Sequence, residues 1–76
     1  MTTITITPAI ARSVLGYYNL PGGWAVGGFD EALFTAFSRA DSQNFERLAQ
    51  GFPAHALAMR AELQELKDIA EGWETL

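Results

Sequence analysis

The sequence is 76 residues long, contains no cysteine and has a net charge of −4, which allows one domain and excludes a disulfide framework. The acidic surplus argues against nucleic-acid binding, because phosphates attract clustered Lys and Arg. There is no apolar run of about 18 residues and no secretory leader, so we expect no membrane association and a cytoplasmic location. A chain of this size buries only about 60% of its unfolded surface, which makes a lone copy marginal and favours self-association.

A first helix is predicted from residue 8 to about residue 18. Thr7 is a favourable N-cap residue and Pro8 suits the first helical position. Asn19 tolerates the left-handed conformation that often ends a helix. In residues 1–7, isoleucine and threonine alternate, so we expect a short extended arm or a frayed tail before the helix.

Two further helices are predicted after a glycine-rich loop. Residues 20–28 contain four glycines and a proline, which indicates a compact loop. Apolar side chains then recur at helical spacing over residues 29–40 and 42–50, so each segment is expected to bury one face. Asp41 is placed to cap the third helix.

A long amphipathic helix is predicted over residues 53–76. Its apolar residues alternate at spacings of three and four, the pattern of a coiled-coil seam. The seam consists of Ala56, Met59, Leu63, Leu66, Ala70 and Trp73. We therefore predict a single all-α domain over residues 1–76, a bundle of about four helices around one small core. We also expect a homodimer or higher assembly, with the last helix at or near the interface.

Catalytic and cofactor motifs are not found. Gly22 and Gly27 have the spacing of a phosphate-binding loop, but Gly28 and Phe29 stand where Lys and Ser or Thr must follow. His55 has neither a nucleophile nor a carboxylate one helical turn away. An acidic row on the last helix has the spacing of a solvated face. It comprises Glu62, Glu65, Asp68 and Glu71. We predict a non-enzymatic protein without cofactor or metal.

Large aromatic residues are more numerous than so small a core accommodates, and Tyr and Trp are typical anchors of protein interfaces. The predicted interface combines them with residues of the seam. Its members are Tyr17, Tyr18, Trp24, Met59, Leu63, Leu66 and Trp73. The alternative is a small DNA-binding regulator in which the second and third helices form a helix-turn-helix unit. The side chains that would then face the bases are Gln43, Asn44, Arg47 and Gln50.

A tyrosine-containing helix is followed by a Leu-Pro-Gly-Gly-Trp loop at residues 20–24 and by an Arg-Ala-Asp junction at residues 39–41, with Asn44 three residues further on. In these features residues 8–52 resemble a family of small orphan proteins encoded by tailed phages and prophages. The resemblance implies a cytoplasmic phage protein of unknown function without established catalytic residues. The sequence departs from the family at residues 27–28 and in its long last helix. We therefore expect an accessory protein that acts through contacts with a host protein or with itself.

Overall fold

The computed structural model describes the backbone of residues 4–75 and the side chains of residues 4–71. Within this range the chain forms five α-helices and no strand, which confirms the all-α prediction there. The helices are α1 (Pro8–Tyr17), α2 (Gly28–Arg39), α3 (Ser42–Gly51), α4 (Pro53–Arg60) and α5 (Leu63–Thr75). None of them is long and apolar enough to cross a membrane.

Two helices begin with the side-chain caps that the sequence predicts. The Oγ1 atom of Thr7 accepts a hydrogen bond of 3.2 Å from the backbone N–H of Ile10, at the start of α1. The Oδ1 atom of Asp41 accepts one of 2.8 Å from the N–H of Asn44, at the start of α3. Each bond satisfies a donor that the first turn of a helix leaves free, so the caps determine where α1 and α3 begin.

A Schellman motif ends α1. The N–H of Leu20 donates to the carbonyl of Leu15 at 2.9 Å, and the N–H of Asn19 donates to that of Gly16 at 3.0 Å. Asn19 has the left-handed φ of 57° that this motif requires. The observed end of α1, at Tyr17, therefore lies one residue from the predicted one.

The loop after α1 folds back along that helix. Gly16 and Gly23 lie in direct backbone contact, and a Cβ atom on Gly16 would overlap the carbonyl oxygen of Trp24. Arg12 reaches across the loop and donates from Nη1 to the carbonyl of Gly22 at 3.3 Å. The glycines thus allow a close approach that any side chain at these positions would prevent.

The prediction of one long helix over residues 53–76 is wrong. After α4 the backbone turns at Ala61, whose φ of −74° and ψ of 155° are those of an extended residue. The carbonyl of Glu62 accepts a 3.1 Å bond from the N–H of Leu66, which makes Glu62 the N-cap of a separate helix. Four predicted helices therefore become five.

The core explains this break, because α4 packs in both of its clusters whereas the described residues of α5 pack in one. Its larger cluster comprises Ala11, Val14, Leu15, Phe34, Ala58, Leu66 and Ala70. The smaller one comprises Leu33, Phe37 and Ala56, and Met59 packs against both. Among the described residues, α5 makes its most extensive contact with α1, whereas α4 also contacts α2 and α3. One straight helix over residues 53–75 could not make both sets of contacts.

Candidate protein-interaction surface

Tyr17 and Tyr18 stand at the end of α1 with their ring centroids 5.0 Å apart. The hydroxyl of Tyr17 forms a 3.1 Å hydrogen bond with the Oγ1 atom of Thr35. Hydrogen bonds with the side chains of Thr35 and Ser38 lower the pKa of Tyr17, whereas burial raises the pKa of Tyr18. Tyr17 is half-buried and joins α1 to α2, and Tyr18 is the more exposed ring.

Trp24 is exposed over nearly half its surface, yet it is held in place. Its Nε1–H donates to the Oγ atom of the buried Ser13 at 3.0 Å, and its backbone N–H donates to the carbonyl of Arg12 at 3.3 Å. The indole therefore fastens the loop to α1 and leaves part of its ring facing outward.

The seam residues do not form one surface. Leu66 is 1% exposed and belongs to the core, whereas Leu63 is 47% exposed. Met59 is half-buried between the two clusters, and the side chain of Trp73 lies outside the described residues. Leu66 is therefore unavailable to a partner in this conformation, and the predicted coiled-coil seam is not present among the described residues.

A groove that the sequence did not predict lies where the N-terminal arm crosses α4 and α5. Ile4 and Leu57 are 47% and 41% exposed at this place. The groove has a volume of about 500 Å³ and we refer to it as the arm groove. Its lining residues are Ile4, Thr5, Ile6, Leu57, Arg60, Ala61, Glu65 and Ile69. A second groove of about 260 Å³ shares Ile4, Leu57 and Arg60 with it, so the two form one continuous surface.

The charge of Arg60 on this surface is already compensated. Its Nη2 atom lies 2.6 Å from Oε1 of Glu46, and its guanidinium lies 4.1 Å from the ring centroid of Phe45. An ion pair and a cation–π contact therefore hold the side chain against α3. Glu65, on the α5 side of the arm groove, forms no ion pair with any described residue.

Sequence patterns gave only weak signals for the arm groove. The alternation of Ile4 and Ile6 with threonines indicated an arm but not the surface that it would cover. Leu57 lies next to Ala56 and is not part of the heptad seam, so helical periodicity predicts neither a core nor an interface position for it. An apolar residue on the polar side of an amphipathic helix is the signal that could have identified this surface.

The remaining candidates from the sequence are His55, a metal site and the residues of the DNA-binding alternative. His55 is half-buried, with its ring 5.8 Å from those of both Phe34 and Phe52. No group of three or more His, Asp and Glu residues in the described part of the chain could hold a metal ion.

The residues of the DNA-binding alternative lie on α3. One groove of about 390 Å³ at the α2–α3 junction is lined by Arg39, Asn44 and Arg47. Gln43 and Gln50 are also exposed on α3.

Comparisons with protein-family models, with curated proteins and with solved structures return no match to this chain. The resemblance of residues 8–52 to phage orphan proteins therefore stays a prediction.

Proposed function

We propose that this chain is a non-enzymatic phage accessory protein that binds another protein, and that the arm groove is its binding surface. The observation that supports the proposal is the exposure of Ile4 and Leu57 beside a groove of about 500 Å³. Apolar side chains grouped around a concave surface and rimmed by charged ones are typical of docking sites. The rim here includes Arg60 and Glu65.

A partner other than a second copy is favoured, because the residues predicted to pair between copies are partly used within the chain. Leu66 and Ala70 already pack against α1 residues in the larger core cluster. Self-association through the exposed Leu63 stays a separate proposal, and sedimentation velocity at micromolar concentration tests it. A single monomeric species would contradict self-association, and the arm groove would remain the proposed binding surface.

The experiment that tests the proposal compares two leucines of similar exposure. Affinity capture from host lysate is performed with the wild-type chain, with Leu57→Ser and with Leu63→Ser. Because only Leu57 lines the arm groove, we expect Leu57→Ser to lose proteins that wild type and Leu63→Ser retain. Equal retention by Leu57→Ser would overturn the proposal. Loss with Leu63→Ser alone would place the contact on α5 outside the groove.

DNA binding through α2 and α3 is the second candidate, and the shared groove of Arg39, Asn44 and Arg47 favours it. Arginine and asparagine are the side chains that most often read base edges. A gel shift at low salt tests this function. Binding that is lost with Arg47→Ala but kept with Arg60→Ala, which removes the same charge, would support it over the arm groove.

A further inference from the structure

The floor of the arm groove is apolar and fixed. Ile6 and Ile69 are half-buried, and both pack against the larger core cluster. Ile4 and Leu57 stand beside them and are the exposed part of the lining. A partner that covers this floor must therefore supply apolar side chains, since burying unpaired polar groups there would oppose binding.

One edge of the groove is negative. Glu65 lines it, Asp68 follows three residues later on the same side of α5, and Glu62 is the N-cap residue of that helix; Glu62 and Asp68 are both exposed. The carboxylate of Asp68 accepts a 3.0 Å hydrogen bond from the uncharged amide of Gln64. Within the described part of the chain none of these three acids forms an ion pair. Their charges are therefore available to a partner.

The positive charge of Arg60, which also lines the groove, does not offset this potential. Arg60 is paired with Glu46 at 2.6 Å, so the two side chains together contribute no net charge. A second copy of the chain would carry the same acidic edge, so a two-fold contact whose axis passes through that edge would place like charges against each other. Anionic lipids and nucleic acids would meet the same repulsion.

From this placement we infer that the arm groove takes a basic amphipathic segment of another protein, with apolar side chains on the floor and Lys or Arg beside Glu65 and Asp68. This inference rests on the proposed function and adds the chemistry of the partner. Complementary charge at the rim of an apolar site determines which partner binds and how fast it associates.

The test uses three synthetic peptides of about 14 residues, enough for roughly four helical turns. All carry leucines at helical spacing, and their remaining positions are Lys, Gln or Glu. Each is titrated into the isotopically labelled full chain, and backbone amide shifts give both the dissociation constant and the site. We expect the Lys peptide to bind at least about fivefold more tightly than the Gln peptide, with shifts concentrated at residues 4–6, 57 and 69.

Two double variants separate the acidic edge from overall charge. Glu65→Gln with Asp68→Asn should weaken binding of the Lys peptide by about fivefold, whereas Asp30→Asn with Glu31→Gln on α2 should leave it unchanged. Equal weakening by both pairs, or a Gln peptide that binds as tightly as the Lys peptide, would overturn the inference. Changes in the amide shifts of the groove residues on adding the Gln peptide would still support the arm groove as a protein-binding surface. Capture that survives Leu57→Ser would reject docking itself.

Discussion

Gly16 and Gly23 set the distance between the loop and α1. They lie on opposite sides of one backbone contact, where a Cβ atom on either would overlap the other segment. A flexible side chain could move away from such an overlap, but backbone atoms held by the hydrogen bonds of α1 cannot. Gly16 and Gly23 thus have a packing role that a side chain at either position would disrupt.

We predict that Gly16→Ala lowers the free energy of unfolding by about 3 kcal/mol or more, because the added methyl must separate the loop from the helix. Gly51→Ala is the control, since a Cβ there meets nothing within 4 Å and its φ is not positive. That variant should keep or gain stability, because alanine is the better helix former. Urea denaturation followed by circular dichroism measures the free energy of unfolding of both variants. An equal change in the two variants would contradict the packing role of Gly16.

The two adjacent tyrosines should titrate on opposite sides of their ordinary pKa of 10.0. Hydrogen bonds lower the pKa of Tyr17, so the unfolded chain holds that proton to higher pH and the stability from Tyr17 increases as pH rises toward 10. Burial raises the pKa of Tyr18, so its contribution is present below pH 10 and is lost as pH rises above 10 toward the folded-state pKa.

Tyrosinate absorbance against pH measures this difference. The folded chain should titrate over a broader range than the chain in urea. Tyr17→Phe should remove the lower part of the curve and Tyr18→Phe the upper part. A single step centred on the unfolded value would show that the two rings have no distinct environments.

At the scale of the elements, the sequence predicted the first three helices because their ends are determined locally. Thr7 and Asp41 accept the hydrogen bonds that a cap requires, and Asn19 adopts the left-handed turn. These signals involve residues no more than a few positions apart, so they can be interpreted without knowledge of the tertiary fold.

The break between α4 and α5 has no such local signal. Ala61 and Glu62 are good helix formers, and neither proline nor glycine stands at the break. What determines it is packing, because α4 contributes to both clusters, through Ala58 and Ala56, whereas the described residues of α5 contribute only to the larger one. Contacts between residues about 50 positions apart override helix propensity here, and a heptad pattern does not reveal them.

Proline scanning of α5 tests the break directly. We predict that Leu63→Pro changes the free energy of unfolding by less than about 1.5 kcal/mol, because proline is accepted at the first position of a helix. In an uninterrupted helix the same change would cost about 3 kcal/mol or more. Asp68→Pro, also exposed but inside α5, is the matched control and should show that larger cost. If both variants lost the same free energy of unfolding, the result would instead support one uninterrupted helix.

At the scale of the whole molecule, the seam residues divide between the core, which holds Leu66 and Ala70, and the surface, where Leu63 lies. We predict that Leu66→Ala lowers the free energy of unfolding by about 2 to 4 kcal/mol, because Leu66 is 1% exposed and its loss leaves a cavity. Leu63→Ala should cost less than about 1 kcal/mol at its 47% exposure. Urea denaturation at two protein concentrations is the measurement. A concentration-dependent midpoint, with equal costs for both variants, would indicate a dimer held by the seam.

The candidate surface was harder to predict than the fold because it is assembled from distant parts of the chain. Ile4 and Leu57 are separated by more than 50 positions and belong to different segments. Tyr18 and Trp24, two of the predicted interface residues, are partly exposed, but neither lines the arm groove. Residue type alone identified side chains suited to an interface, whereas their grouping depends on the tertiary contacts of the arm.

The position of Ile4 at the wall of the arm groove has a practical consequence for handling the protein. An affinity tag or reporter fused ahead of Met1 would lie three residues along the chain from Ile4, whereas one fused after Leu76 would lie seven residues from Ile69, the last lining residue in the sequence. A comparison of the two tagged forms would itself show whether the beginning of the polypeptide borders the place where other molecules attach.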